Sequence, residues 1–172
     1  KPRWSPDEKY ISFLSNRNDK MQIYISDRSG GDPDQLTYLK EGVGEYIWSP
    51  NGKYIAFTSV SSTEDNLGWN GKAIEQTEEE KEKEKLENEV FVIRHLHYKD
   101  QRGNITEGKF SHIWIVDVES KVVKPLTRGE FRDSSPCWSS DGQYIFFSSN
   151  RNQKEKNWWD SQIYRISIDG KE

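Results

Sequence analysis

Three stretches of this chain copy one another, and a fold must account for the copying. They read WSPDEKYISFLSNR from Trp4, WSPNGKYIAFTSVS from Trp48 and WSSDGQYIFFSSNR from Trp138. Each opens on Trp-Ser and passes through Asp7-Glu8, Asn51-Gly52 or Asp141-Gly142. A β-prone run follows, with Tyr10, Ile11 and Phe13 recurring as Tyr54, Ile55 and Phe57 and as Tyr144, Ile145 and Phe147. A second module trails each copy: QIYISD from Gln22, HIWIVD from His112 and QIYRIS from Gln162. The first two units close on Leu36-Thr37 and Leu126-Thr127. Asn-Gly and Asp-Gly between β-prone runs mark tight hairpins, because the turn needs residues that tolerate positive φ. Each unit therefore reads as four short antiparallel strands, and a four-stranded unit repeating every ~40–45 residues is the mark of a β-propeller blade.

Trp4 to Trp48 is one such period, and Trp48 to Trp138 is about two. No Trp-Ser-turn opening occurs between residues 60 and 111, so the longer interval reads as an insertion. The expected fold class is all-β: a partial propeller of about three four-stranded blades, with a long charged insertion in the second. Residues 1–40 form one blade unit, 41–130 a second with its insertion at about 60–111, and 131–172 an incomplete third. Closing a propeller takes roughly 4–8 blades, so residues 1–172 read as a fragment of one propeller domain. Open blade faces and strand edges predict that such a fragment self-associates.

Within the units, Met21, Ile23 and Ile25 alternate with polar neighbours in the third strand, and Glu8 stands where the other units have Gly. That substitution predicts a different turn type or local strain. Lys72–Glu89 holds four Lys and eight Glu with almost no apolar face, so it reads as a solvated excursion. VFVIRHLHY from Val90 is strand-like, and KDQRGNITEGK after it reads as a loop or irregular hairpin.

Composition narrows the function classes. Aromatic residues reach 13% against 32% hydrophobic overall, which suits small sheets that bury flat rings between them. A formal charge of −4 argues against a nucleic-acid partner. No apolar run approaches the ~20 residues of a membrane span. Cys137 is the sole cysteine, so no intrachain disulfide can form. This fits a reducing, cytoplasmic setting, with the periplasm as alternative. Beside Pro136, Cys137 reads as a small buried filler.

Candidate chemical residues are few. His95 and His97 share one face of a strand, but no third metal ligand accompanies them. His112 occupies the position of Gln22 and Gln162 and reads as a polar residue at a strand start. There is no Gly-x-Ser-x-Gly elbow and no histidine after His112, so a hydrolase triad cannot be assembled. Asp27 and Asp117 recur at the ends of third strands and read as turn carboxylates. Ser29-Gly30-Gly31 precedes no helix, which excludes a phosphate loop. Asn104-Ile105-Thr106 matches a glycosylation sequon, and Trp158-Trp159 in a charged loop is either a binding rim or a ring pinned on the sheet. Catalytic, cofactor and metal residues are therefore expected to be none.

The Trp-Ser-Pro-Asp/Asn-Gly-Lys blades resemble PD40 or TolB-like propeller repeats. The run VIRHLHYKDQRGNITEGKFSHIWIVDVES, with Tyr98-Lys99, Asp100, Gly103 and His112-Ile113-Trp114, resembles acylaminoacyl-peptidase-like members of the prolyl oligopeptidase (S9) family. The resemblance implies an N-terminal propeller that gates a C-terminal α/β-hydrolase domain with a Ser-Asp-His triad. Short peptides would be the substrates, of the acylaminoacyl peptidase or dipeptidyl aminopeptidase type. The hydrolase domain lies outside these residues, so the fragment is expected to be inactive and the hydrolase to be its partner. The alternative is a non-enzymatic, TolB-like propeller serving as a protein-interaction scaffold.

Overall fold

The computed structural model describes residues 2–62, 108–151 and 161–170. Every regular element among them is a strand. The first sheet holds β1 (Arg3–Trp4), β2 (Tyr10–Ser15), β3 (Gln22–Asp27) and β4 (Asp34–Gln35) in the order 1-2-3-4. The second holds β5 (Tyr46–Trp48), β6 (Tyr54–Ser62), β7 (Lys109–Asp117) and β8 (Val123–Pro125) in the same sequential order. The third holds β9 (Asp133–Trp138), β10 (Tyr144–Ser149) and β11 (Gln162–Ser167), again side by side. All pairings are antiparallel. This is the partial propeller that the repeat predicts. The run from Val90 to Tyr98 and the charged stretch Lys72–Glu89 lie outside the described residues.

The Trp-Ser turns show why the motif is copied. The serine hydroxyl donates to the turn residue's side-chain oxygen: Ser5 to Asp7 at 2.5 Å, Ser49 to Asn51 at 2.8 Å, and Ser139 to Asp141 at 2.5 Å. The same hydroxyl accepts the amide of Tyr10, Tyr54 or Tyr144, at 2.9 Å in each case. The turn oxygen accepts a second amide, from Lys9, Lys53 or Gln143. Three hydrogen bonds within six residues thus close each hairpin. Glu8 does not change the turn type. Its φ of 58° matches Gly52 at 71° and Gly142 at 69°, and all three amides bond back to the Trp-Ser serine carbonyl. The strain half of the expectation stands, because a side chain in the left-handed region costs about 1–2 kcal/mol.

The sheets stack face to face around two apolar clusters. One joins Ile23 and Ile25 of the first sheet to Trp48, Ile55, Phe57 and Trp114 of the second. The other joins Ala56, Ile113 and Ile115 of the second to Trp138, Ile145 and Phe147 of the third. The indoles of the Trp-Ser pairs find acceptors on the preceding sheet: Trp48 Nε1 donates to Ser12 Oγ at 2.7 Å, and Trp138 Nε1 to the Ile47 carbonyl at 3.3 Å. Gln22, Ile23, Tyr24 and Ile25 of β3 are all buried, Tyr24 against Phe13, Arg17 and Gln35 of its own sheet, so the expected in-out alternation of β3 is absent. Leu36 and Leu126 of the Leu-Thr pairs fill the core just past β4 and β8.

β9 carries a bulge and one correction. Ser135 and Pro136 together oppose Phe147, forming the bulge with Ser135 at a φ of 53°. The bulge is where a proline, lacking an amide donor, fits a strand. Cys137 is exposed rather than buried. Alternation turns Trp138 toward the second sheet and so turns Cys137 the other way, onto a face that no described residue covers.

Trp48→Ala is expected to lower unfolding free energy by about 3–5 kcal/mol, read from urea unfolding. The turns carry a pH signature. Asp7 and Asp141 sit below the ordinary carboxyl value of 3.8, first through the hydrogen bond from Ser5 or Ser139 and then through the Lys9 or Gln143 amide. Their contribution is therefore present above that value and is lost as pH falls through the depressed folded values. Asn51 does the same work without titrating. Asp7→Asn combined with Asp141→Asn is expected to keep stability at neutral pH and to reduce its loss as pH falls below 3.8, measured by urea midpoints.

Candidate functional site

The described residues bring one group of ionisable side chains together in the interior, where the second sheet meets the third. His112 on β7 and Asp133 on β9 are both fully buried, with Nδ1 of His112 at 3.4 Å from Oδ2 of Asp133. Arg151, just beyond β10, places one guanidinium nitrogen 3.0 Å from each carboxylate oxygen of Asp133. Its Nε donates to Ser149 Oγ at 3.1 Å. The guanidinium also lies over Phe131, Phe147 and Tyr164, at 5.6, 5.0 and 5.4 Å from their ring centres. Those rings hold the cation on a π face while the carboxylate neutralises it.

The carboxyl of Asp133 balances opposed effects. Burial pushes its pKa up, while hydrogen bonds from His112, Ser149 and Thr127 and the charge of Arg151 pull it down, and the net result lies below the ordinary value. Asp133 is thus a carboxylate held in the interior by donors from two sheets. Ser111 Oγ adds a bond to its backbone carbonyl at 2.9 Å.

The same place between the first and second sheets is filled without charge. Gln22 donates its side-chain amide to the Leu39 carbonyl at 2.7 Å and accepts from Thr37 Oγ1 at 2.8 Å. In both units the Leu-Thr hydroxyl also accepts a third-strand amide, Ile23 to Thr37 and Ile113 to Thr127, each at 2.9 Å. His112 is therefore more than a polar residue at a strand start: β7 begins at Lys109, and the imidazole ties two sheets together.

Chemically the arrangement is a lock, not a catalytic centre. His112 is enclosed, and no hydrogen-bonding group among the described residues reaches its Nε2. Among those residues no cluster of His, Cys, Asp and Glu could hold a metal. Asp27 and Asp117 do act as turn carboxylates, the first accepting Ser29 N at 2.8 Å and Ser29 Oγ at 2.6 Å, the second Ser120 N at 2.8 Å. His95, His97, Asn104-Ile105-Thr106 and Trp158-Trp159 lie outside the described residues. Asp133 and Arg151 escaped the sequence reading. The available signal was Ser-Asn-Arg, which ends both the first and third copies at Arg17 and Arg151.

The chain shares 34% identity over 150 residues with the uncharacterised peptidase YuxL of Bacillus subtilis, an alignment covering 87% of this chain and 21% of that protein. Among solved structures, an acylaminoacyl peptidase of Pyrococcus horikoshii superposes over 97% of this chain and 23% of its own, with a TM-score of 0.64 at 16% identity. TolB of Acinetobacter baumannii does so over 97% and 29%, with a TM-score of 0.53 at 22% identity. The chain is a propeller segment, similar in sequence to part of a peptidase and in fold to TolB and acylaminoacyl peptidase propellers. No family model matches it. It spans about a fifth of the length of YuxL.

Asp133→Ala leaves Arg151 charged and His112 without its acceptor in the interior. The expected loss is about 3–5 kcal/mol, read from chemical denaturation. A loss below about 1 kcal/mol would contradict the lock.

Proposed function

We propose that this chain is the gating propeller of a serine peptidase that cleaves short peptides, of the acylaminoacyl peptidase or dipeptidyl aminopeptidase type. The 34% identity to the peptidase YuxL over 87% of the chain carries the proposal. The physical contribution of the propeller is a stiff wall. Sheets joined by buried indoles and by the His112–Asp133–Arg151 lock resist spreading, so a narrow flexible peptide passes where a folded protein does not. The chemistry is nucleophilic acyl transfer by a serine of an associated hydrolase domain. His112 takes no part in it, being enclosed and committed to Asp133.

The likeness to TolB over 97% of the chain favours a second reading, a propeller that binds protein partners without a hydrolase. One experiment separates the two. The full-length protein is treated with a fluorophosphonate probe, then assayed on blocked and free short-peptide anilides and on casein. Under the peptidase reading it is labelled, it hydrolyses the short substrates and it spares casein, while residues 1–172 alone do neither. Absence of labelling and of hydrolysis would leave the scaffold reading.

A further inference from the structure

Each Trp-Ser turn depends on a side-chain oxygen at one position, and only the middle turn takes it from a carboxamide. Asn51 stands where the other turns have Asp7 and Asp141. Its Oδ1 accepts the Ser49 hydroxyl at 2.8 Å and the Lys53 amide at 3.0 Å, as the aspartates accept theirs. The next residue is Gly52, which has no Cβ to keep its amide nitrogen away from the Asn51 side-chain carbon. Asn51 is exposed, so water reaches the pair.

We propose that Asn51 is a modification site, converted to an acidic residue without an enzyme at a rate that the Trp-Ser turn sets. The first step is a ring closure. The Gly52 amide gives its proton to hydroxide, and its nitrogen bonds to Cγ of Asn51. The bond from Cγ to Nδ2 then breaks, and Nδ2 leaves as ammonia with a proton from water, which regenerates the hydroxide. A water molecule opens the five-membered imide. Cleavage between the ring nitrogen and Cγ leaves aspartate in the ordinary chain. Cleavage at the α-carbonyl leaves isoaspartate, with the backbone routed through the side-chain carboxyl.

The turn acts on ring closure in two opposed ways. The Ser49 hydroxyl and the Lys53 amide donate to Oδ1, where negative charge gathers as the ring forms, and donors placed there favour the step. The Gly52 N–H, however, donates to the Ser49 carbonyl at 3.0 Å. A proton held there is withheld from hydroxide, and without a free nitrogen no ring forms, however polarised the carbonyl is. The nucleophile decides. The closed turn therefore protects Asn51, and conversion runs from the moments when the turn opens.

The two products differ in what they do to the fold. Aspartate is what Asp7 and Asp141 already supply at this position, so the turn closes again and gains the acid sensitivity of the other two. Isoaspartate adds a backbone carbon inside the loop that the Tyr54 amide closes onto Ser49 Oγ at 2.9 Å. That damage falls on the second sheet, which takes part in both apolar joints. The inference does not rest on any peptidase activity.

The test is peptide mapping by mass spectrometry after incubation at mildly alkaline pH. It compares the folded protein, the protein unfolded in urea, and a free peptide spanning Ser49–Ile55. The unfolded protein and the peptide are expected to convert at the same rate. The folded protein is expected to convert at least roughly tenfold more slowly, as for a turn open less than about a tenth of the time. Asn51→Asp is expected to keep the circular dichroism spectrum and the urea midpoint at neutral pH, and to lose more of that midpoint as pH falls below 3.8. Conversion in the folded protein as fast as in the peptide overturns the protection. Absence of conversion in the unfolded protein overturns the site, and a lowered midpoint for Asn51→Asp at neutral pH overturns the equivalence of its product.

Discussion

The structure depends on the cost of burying an indole. A Trp-Ser tryptophan between two sheets removes a large apolar surface from water, and its N–H is stabilised by an acceptor in the dry joint. The acceptor comes from the preceding sheet, as the Ser12 hydroxyl for Trp48 and as the Ile47 carbonyl for Trp138. Ser12 is itself donated onward to the Arg3 carbonyl, at 3.0 Å, so the polar chain ends on backbone. This requirement gives the stack a direction. Each sheet presents its first strand to the one before it, and the small residue beneath the ring, Ser12 or Ala56, makes room.

At the far end of the joints a second requirement applies, because β3 and β7 run buried through most of their length. A side chain that reaches across there has to be polar and fully satisfied. The two joints meet this with different chemistry. Gln22 bonds to Thr37 and to the Leu39 backbone, whereas His112 faces the Asp133–Arg151 pair. The threonine of Leu-Thr is common to both, which explains a dipeptide that hydrophobicity alone would not preserve as a pair. The charged version carries a larger desolvation cost and stands only because two sheets supply donors together.

Which parts were legible in sequence follows from how far apart the interacting residues lie. The Trp-Ser turn is a closed system of three hydrogen bonds over six residues, so its copies can be read directly. The register of Tyr, Ile and Phe gave the strands for the same reason. The Asp133 lock spans 18 residues to Arg151 and 21 to His112, and the β9 bulge shifts the register between Asp133 and the repeated Trp138. No periodic pattern marks it. Cys137 was misread because its neighbour Pro136 is buried and the face it occupies is covered at the other joints. At Glu8 the strain alternative holds and the turn-type one does not, because the serine and aspartate bonds keep the same turn with φ positive whatever the side chain.

The two ends of the sheets are therefore unequal. At the Trp-Ser end each turn is held by bonds between residues two to five apart, and an insertion there would break all of them together. The turns also touch: a Cβ on Gly52 would lie 3.7 Å from Pro6, and one on Gly142 would lie 3.6 Å from Pro50. The opposite end carries the hairpin connections after β2, β6 and β10. Loop-closure entropy grows only slowly with length, so added residues cost little there. Residues 63–107 and 152–160 both join the sheets at this end, after β6 and β10. Before the longer of the two, β6 and β7 extend their pairing by three rungs, from Val60–Ser111 to Ser62–Lys109, beyond the last rung of the other sheets. The ladder is longest where the added chain is longest, so the chain leaves for residues 63–107 and returns from them on paired strands.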